Sequence, residues 1–300
     1  MSQLTSNLPS TGELGSLEKR RAYWGSDAFG WLCAAATMIC MTALLGLLLT
    51  VLMNGWQWLS WDFVTSYASR DPEIAGILAA FVGSLWLIVL TALISVPIGV
   101  GTAVYLEEYS SNTWWRRVVQ LNIANLAGVP SIVYGILGLG LFVRAMALER
   151  SVIAGALTLS LVVLPIVILA SQEALRAVPS TIRQASYALG ATRWQTVWRQ
   201  VLPAALPGMM TGVILAISRA LGEAAPLVVV GAAASIRFLP VSLRDQFTAL
   251  PLRIYEWASR PQQEFHGLAS AAIVVLLVML IAMNAIAVFV RYRYGRRIKW

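Results

Sequence analysis

Long uncharged apolar runs recur along the chain, separated by short polar segments that hold most of its charge. Crossing a bilayer as a helix takes roughly 20 apolar residues at about 1.5 Å of rise each. Six runs meet that length: Phe29–Met53, Ile74–Tyr105, Leu121–Val143, Val152–Ala170, Ala205–Ser235 and Gly267–Val290. The second and fifth are too long for one straight crossing, so Pro97 and Pro226 are expected to kink them or to mark where they leave the bilayer. The pattern predicts an all-α, polytopic membrane fold of about six transmembrane helices. A polar, flexible tail is expected over 1–28, a membrane domain over 29–290 with its core at about 74–290, and a basic tail over 291–300. Two connections are long, 171–204 and 236–266.

Composition supports the membrane reading. Of the 300 residues 58% are hydrophobic and 12% charged, where a soluble domain carries about a quarter charged residues. Mean hydropathy is +0.72. The net charge of +8 would suggest nucleic acid in a soluble protein. Here the basic residues lie mostly between apolar runs, where they orient the chain. With the N-terminus inside, the inner segments hold 14 Lys and Arg and the outer segments 7. Both termini are therefore expected in the cytoplasm. Trp56, Trp58 and Trp61 then belong to an outer aromatic belt, and Trp114 and Trp115 to an inner one. The first run exceeds a signal-peptide core and lacks a clear cleavage site, so it reads as a retained span.

Several chemistries are excluded. A P-loop needs Gly-Lys-Ser/Thr, and neither lysine, Lys19 nor Lys299, follows a glycine. His266 is the only histidine, which removes His-based zinc sites and most Ser-His catalysis. Cys33 and Cys40, both in the first run, suggest neither a disulfide framework nor a metal site.

The segment 171–207, SQEALRAVPSTIRQASYALGATRWQTVWRQVLPAALP, is the most informative. Ser180 is placed to cap a helix that Gly190 ends, since glycine accepts the left-handed conformation beyond a helix C-terminus. Thr192 with Gln195 fits a capping box opening a second helix, which Pro203 is expected to close. Two short helices with a sharp turn make a docking knob; an amphipathic loop lying on the lipid headgroups is the alternative.

The stretch Gln184–Pro203 resembles the coupling loop of ATP-binding-cassette importer permeases: Glu-Ala-Ala, three residues, Gly, nine residues, Ile, one residue, Leu-Pro. The chain has Gln184, Ala185 and Ser186, then Gly190, then Gln200, Leu202 and Pro203. Gln184, Ser186 and Gln200 depart from that pattern, so no ion pair can come from position 184. NLAGVPSIVYGILGLGLFV (125–143), SRALGEAAPLVVVGA (218–232) and LPLRIYEWASRPQQEF (250–265) resemble the phosphate-specific branch, and Gly222–Leu227 resembles its PstA-type permeases. The resemblance covers roughly residues 70–290. It implies a type I importer permease fold in the inner membrane. It also implies a PstC-like second permease, a PstB-like ATPase dimer that binds ATP and Mg, and a PstS-like extracytoplasmic phosphate-binding protein. No cofactor is expected in this chain.

Within the fifth run Arg219 and Glu223 are four residues apart, on one helix face. Counted from Pro207, Arg219 lies roughly 18 Å along a helix, near mid-membrane, where an unpaired charge costs about 2.5 kcal/mol or more. One reading is a self-neutralising pair that locks helices. The other is an anion path, since a guanidinium binds phosphate bidentately and Glu223 can retake it when the anion leaves. The resemblance favours the path, because the phosphate branch carries an arginine and a glutamate here. Asn122, Asn125, Ser131 and Tyr134 are further path candidates, although the asparagines suit interhelical packing. Glu107 and Glu108 are expected to be solvated at an inner interface, and the outer loop 236–265 to be a docking surface. Outside the importer reading stand a self-sufficient channel or ion-coupled transporter and a structural scaffold. Within it stand sulfate and molybdate as rival oxyanions.

Overall fold

The computed structural model describes residues 11–111, 113–232 and 236–295. Among these residues regular structure is helical, joined by one isolated antiparallel bridge between Ser151 and Gln246. The chain divides into two compact units at Met53/Asn54.

Helix α1, Thr11–Trp56, supplies the first unit. Its apolar length Phe29–Trp56 is suited to crossing a membrane, and its most apolar window has no buried residue. The flexible tail expected over 1–28 is corrected in part. Residues 11–28 continue the helix, because they contain no proline and several good helix formers, among them Leu14, Leu17, Glu18, Lys19 and Arg20. Residues 1–10 lie outside the described chain.

The second unit is built on α3 (Leu78–Val104), α6 (Val152–Arg176), α9 (Leu202–Gly222) and α12 (Gln263–Gly295). Helix α6 is its axis, packed against both α3 and α9. Small residues permit the close approach. A Cβ on Gly99 would lie 2.6 Å from Val167 Cγ1, and one on Gly212 would lie 2.2 Å from Ala170 Cβ. Pro97 neither ends nor interrupts α3. The basic tail begins inside α12, and 296–300 lie outside the described chain.

Two expected spans are broken. The run Leu121–Val143 divides into α4 (Trp114–Ala127) and α5 (Ser131–Gly138), the latter prolonged by a wide i→i+5 turn at Leu139–Ala145, and the two arms meet at 104°. Pro130 lacks an N–H and bars helix geometry in the residue before it. The Tyr134 hydroxyl then donates to Leu126 O at 2.7 Å, across the bend. The fifth run breaks at Glu223, whose backbone is extended (φ −81°, ψ 111°), and resumes as α10 (Ala225–Val230), ended by left-handed Gly231. Pro226 opens α10, so the break precedes it.

The outer connection is less open than a docking surface requires. Phe247–Arg253 are all buried, and the Leu250 N–H donates to Ser84 Oγ of α3 at 2.8 Å. Helix α11 (Leu250–Ala258) carries Trp257 against Phe63 and Phe265. Arg253 is 1% exposed, paired with Glu256, and burial pulls its pKa down. The exposed part of the loop is 241–244. There Asp245 accepts the N–H groups of Val241 and Ser242, both at 2.8 Å, which hold its pKa below the ordinary value. A carboxylate depressed in the folded state stabilises its loop above the unfolded pKa and loses that contribution as pH falls through the folded one. Hydrogen exchange at Val241 and Ser242 is accordingly expected to quicken at acid pH, and Asp245→Asn to remove that dependence. An unchanged profile in the variant contradicts this.

Candidate functional site: the α9 charge pair and the α7–α8 elbow

Arg219 sits in the last turn of α9 and Glu223 just past its end. The Arg219 Nε donates to Glu223 Oε1 at 3.2 Å. The pair forms as its spacing predicts, but Glu223 meets it from extended backbone rather than from the helix. Cation and helix C-terminus suit one another, because the dipole leaves partial negative charge there. The side chain of Arg219 is 49% exposed and that of Glu223 is 17% exposed. Arg219 thus lies on the open face of α9, in a stripe with exposed Thr211, Leu215 and Gly222. The packed faces carry Met209, Gly212, Ala216 and Ala220.

Beyond the break, α10 packs on α5 so closely that a Cβ on Gly135 would meet Pro226 Cα and Val229 Cβ, each at 2.9 Å. The two broken spans therefore lie against each other. Non-helical backbone at membrane depth is tolerated only inside protein or beside water. Ser131, at the start of α5, is half-buried. Tyr134 is buried with its hydroxyl committed to the bend. Asn122 and Asn125 are exposed on α4, and the Asn122 amide donates to Val118 O of its own helix. No hydrogen bond joins these four to the charge pair among the described residues. Ser218, the neighbour of Arg219, donates to Asn284 Oδ1 of α12 at 2.6 Å. Sequence reasoning missed Asn284, although its amide inside the last apolar run is a visible signal.

The elbow follows its capping signals. Helix α7 (Ser180–Ala188) ends before Gly190 at φ +79°, and the reciprocal Thr192–Gln195 capping box opens α8 (Arg193–Thr196). Pro179 rather than Ser180 stands at the cap of α7. The expected stop at Pro203 is corrected. A wide turn at Val197–Val201 leads straight into α9, making one helix from Arg193 to Gly222. Such a turn shifts the hydrogen-bond register, which accommodates the missing proline N–H; the Leu202 N–H reaches Val197 O. Gln184 and Ala185 are exposed, and Leu202 and Pro203 are half-buried. Ser186, a departure from the importer pattern, lies 2.8 Å hydroxyl to hydroxyl from Thr196, which closes the elbow. The stacked rings of Trp194 and Trp198 (centroids 5.5 Å apart) and Leu189 stand exposed on it.

The solvated reading of Glu107 and Glu108 is also corrected. Glu107 accepts from Arg116, Arg176 and Gln172, and Glu108 from Arg183. Their partners lie up to 75 residues away in sequence, so local pattern could not show them.

Apolar helices with two mid-chain breaks, an Arg–Glu pair at one break and a capped elbow leading into the same helix define a polytopic permease that takes its drive from another subunit. Residues 95–300 match the family of binding-protein-dependent transport system inner membrane components. The chain belongs to that family, as a multi-pass inner-membrane permease. It is 36% identical over 265 residues to the phosphate transport system permease protein PstA 1 of Mycobacterium tuberculosis, covering 87% of this chain and 86% of that one. It is 35% identical to the corresponding PstA of Mycobacterium leprae over 266 residues, 87% and 86% of the two chains. In structure it resembles a chain of a bacterial alginate ABC transporter in complex with an alginate-bound periplasmic protein, with TM-score 0.63 at 15% identity over 88% and 95% of the chains. At that identity the likeness concerns the fold.

Proposed function

We propose that this chain is one of two permease subunits of an ATP-driven phosphate importer, and that phosphate passes Arg219. The observation that carries the proposal is the half-exposed guanidinium on the open face of α9. A charge on an apolar segment has no place against lipid, so this face is covered by a second permease, and the path runs between the two. The likeness to PstA permeases supports phosphate as the oxyanion. Sulfate and molybdate remain the rival substrates to test.

The elbow of 180–203 inserts into a PstB-like ATPase dimer, which binds ATP and Mg. Because α8 and α9 form one helix, motion at the elbow is delivered along α9 to Arg219. Both termini face the cytoplasm, and a PstS-like phosphate-binding protein docks on the exposed part of the outer connection, 241–244. Phosphate released there replaces Glu223 on the guanidinium, and Glu223 retakes it as the anion leaves. This exchange keeps the site weak enough for passage.

Glu223→Gln tests the exchange. In proteoliposomes holding the complete complex, the variant is expected to transport about tenfold more slowly, which corresponds to roughly 1.4 kcal/mol. Half-saturation is expected to change little or to tighten. A variant with wild-type turnover contradicts the exchange and leaves Glu223 a helix lock.

A further inference from the structure

The function proposed above assigns one output to the elbow, the continuous helix into α9. The structure holds a second connection. Helix α7 has no buried residue. Its chief hold on the bundle is the side chain of Arg183, which is 22% exposed and fully bonded. Nε and Nη2 reach Glu108 at 3.2 and 2.6 Å, Nη1 reaches Val178 O at 2.8 Å, and Nη2 also reaches Leu175 O at 3.0 Å. Glu108, 7% exposed, lies in the wide turn Tyr105–Tyr109 that ends the α3 helix.

The two residues beside it serve the same junction. Glu107 takes Arg176 at 2.7 Å, Gln172 at 3.0 Å and Arg116 at 3.3 Å, which ties α3 to α6 and α4. The Tyr109 ring lies 5.4 Å from the Arg193 guanidinium at the start of α8. Three consecutive side chains of one turn thus gather α4, α6, α7 and α8. A wide turn presents consecutive residues outside the ordinary helical register, and such turns occur often at functional sites. An open cavity of about 530 Å³ borders the junction, lined in part by Glu107, Glu108, Arg183 and Tyr187. With water on that side, little else holds α7 to α3.

We infer that the Arg183–Glu108 pair is a transmission link: it makes α7 and the inner end of α3 move as one body, so that the elbow drives α3 and α6 as well as α9. A planar fork bonded at four points resists both sliding and rotation, whereas a flexible ammonium would not. Arg183 and Glu108 are positioning residues in this account, and neither touches substrate. The inference rests on the importer reading, and its test separates the two.

The complete complex with ATPase, second permease and binding protein is reconstituted in liposomes, and phosphate uptake is measured against ATP hydrolysed. Arg183→Ala is expected to lower the phosphate-to-ATP ratio about tenfold, with ATPase subunits co-purifying within twofold of wild type. Arg183→Lys, which keeps the charge but loses the fork, is expected to lower it about threefold, and Glu108→Gln to fall between. A ratio within twofold of wild type in Arg183→Ala overturns the link while leaving the importer reading intact. Loss of ATPase subunits in proportion to uptake overturns it in favour of a docking role. Failure of both Arg183→Ala and Glu108→Gln to assemble overturns it in favour of a folding role. A wild-type complex that imports no phosphate on ATP overturns the importer reading and the link together.

Discussion

Replacing Arg219 by Gln lowers phosphate uptake at least about a hundredfold, the loss that follows removal of a strong donor to an oxyanion, roughly 2.7–4 kcal/mol. Glutamine retains length and hydrogen bonding but not the charge or the bidentate fork. Assembly is expected to survive, because the side chain is half exposed and its one printed partner is Glu223. Arg219→Lys keeps a point charge without the fork, so it should recover part of the rate. Uptake by reconstituted complexes, normalised to permease content, checks both. Normal uptake in a fully assembled Arg219→Gln complex leaves the pair as a lock between helices.

Gly83→Ala is expected to destabilise the chain by about 3 kcal/mol, the upper end of the ordinary cost of overpacking. A Cβ there would lie 2.1 Å from the carbonyl oxygen of Thr248, and backbone cannot swing aside as a flexible side chain does. The same approach lets the adjacent Ser84 accept the Leu250 N–H, so the substitution also pries α11 from α3. Gly101→Ala in the same helix is the control. Nothing lies within 4 Å of its Cβ, so the better helix former should stabilise by up to about 1 kcal/mol. Thermal unfolding of the purified permease in detergent reads both. Equal midpoints for the two variants contradict the packing described here.

The parts of the fold legible in the sequence are those set by local chemistry. Apolar run lengths located α3, α6 and α12 within a few residues. The positive φ of Gly190 and the Thr192–Gln195 box followed from capping rules that involve neighbours alone. The Arg219–Glu223 pair followed from a spacing of four. The breaks were only half visible. Pro130 loosens its span as expected, but the 104° bend is held by Tyr134 reaching back to Leu126. Pro203 was misjudged because a wide turn before it absorbs the missing N–H. Glu107 and Glu108 were misread because burial and partners, Arg176 and Arg183, come from segments far away in the chain. The outer connection misled for the same reason: its polar composition hides that Phe247–Arg253 pack inside.

The central claim is that this permease forms half of a phosphate path whose cation is Arg219 and whose work comes from a separate ATPase. The most direct measurement is uptake of radiolabelled phosphate into liposomes holding the permease with its ATPase, second permease and binding protein, with sulfate and molybdate as competitors. The account predicts uptake that requires ATP and all subunits, yields to neither competitor in tenfold excess, and vanishes with Arg219→Gln. Uptake by the permease alone without ATP, or equal competition by sulfate, would contradict it.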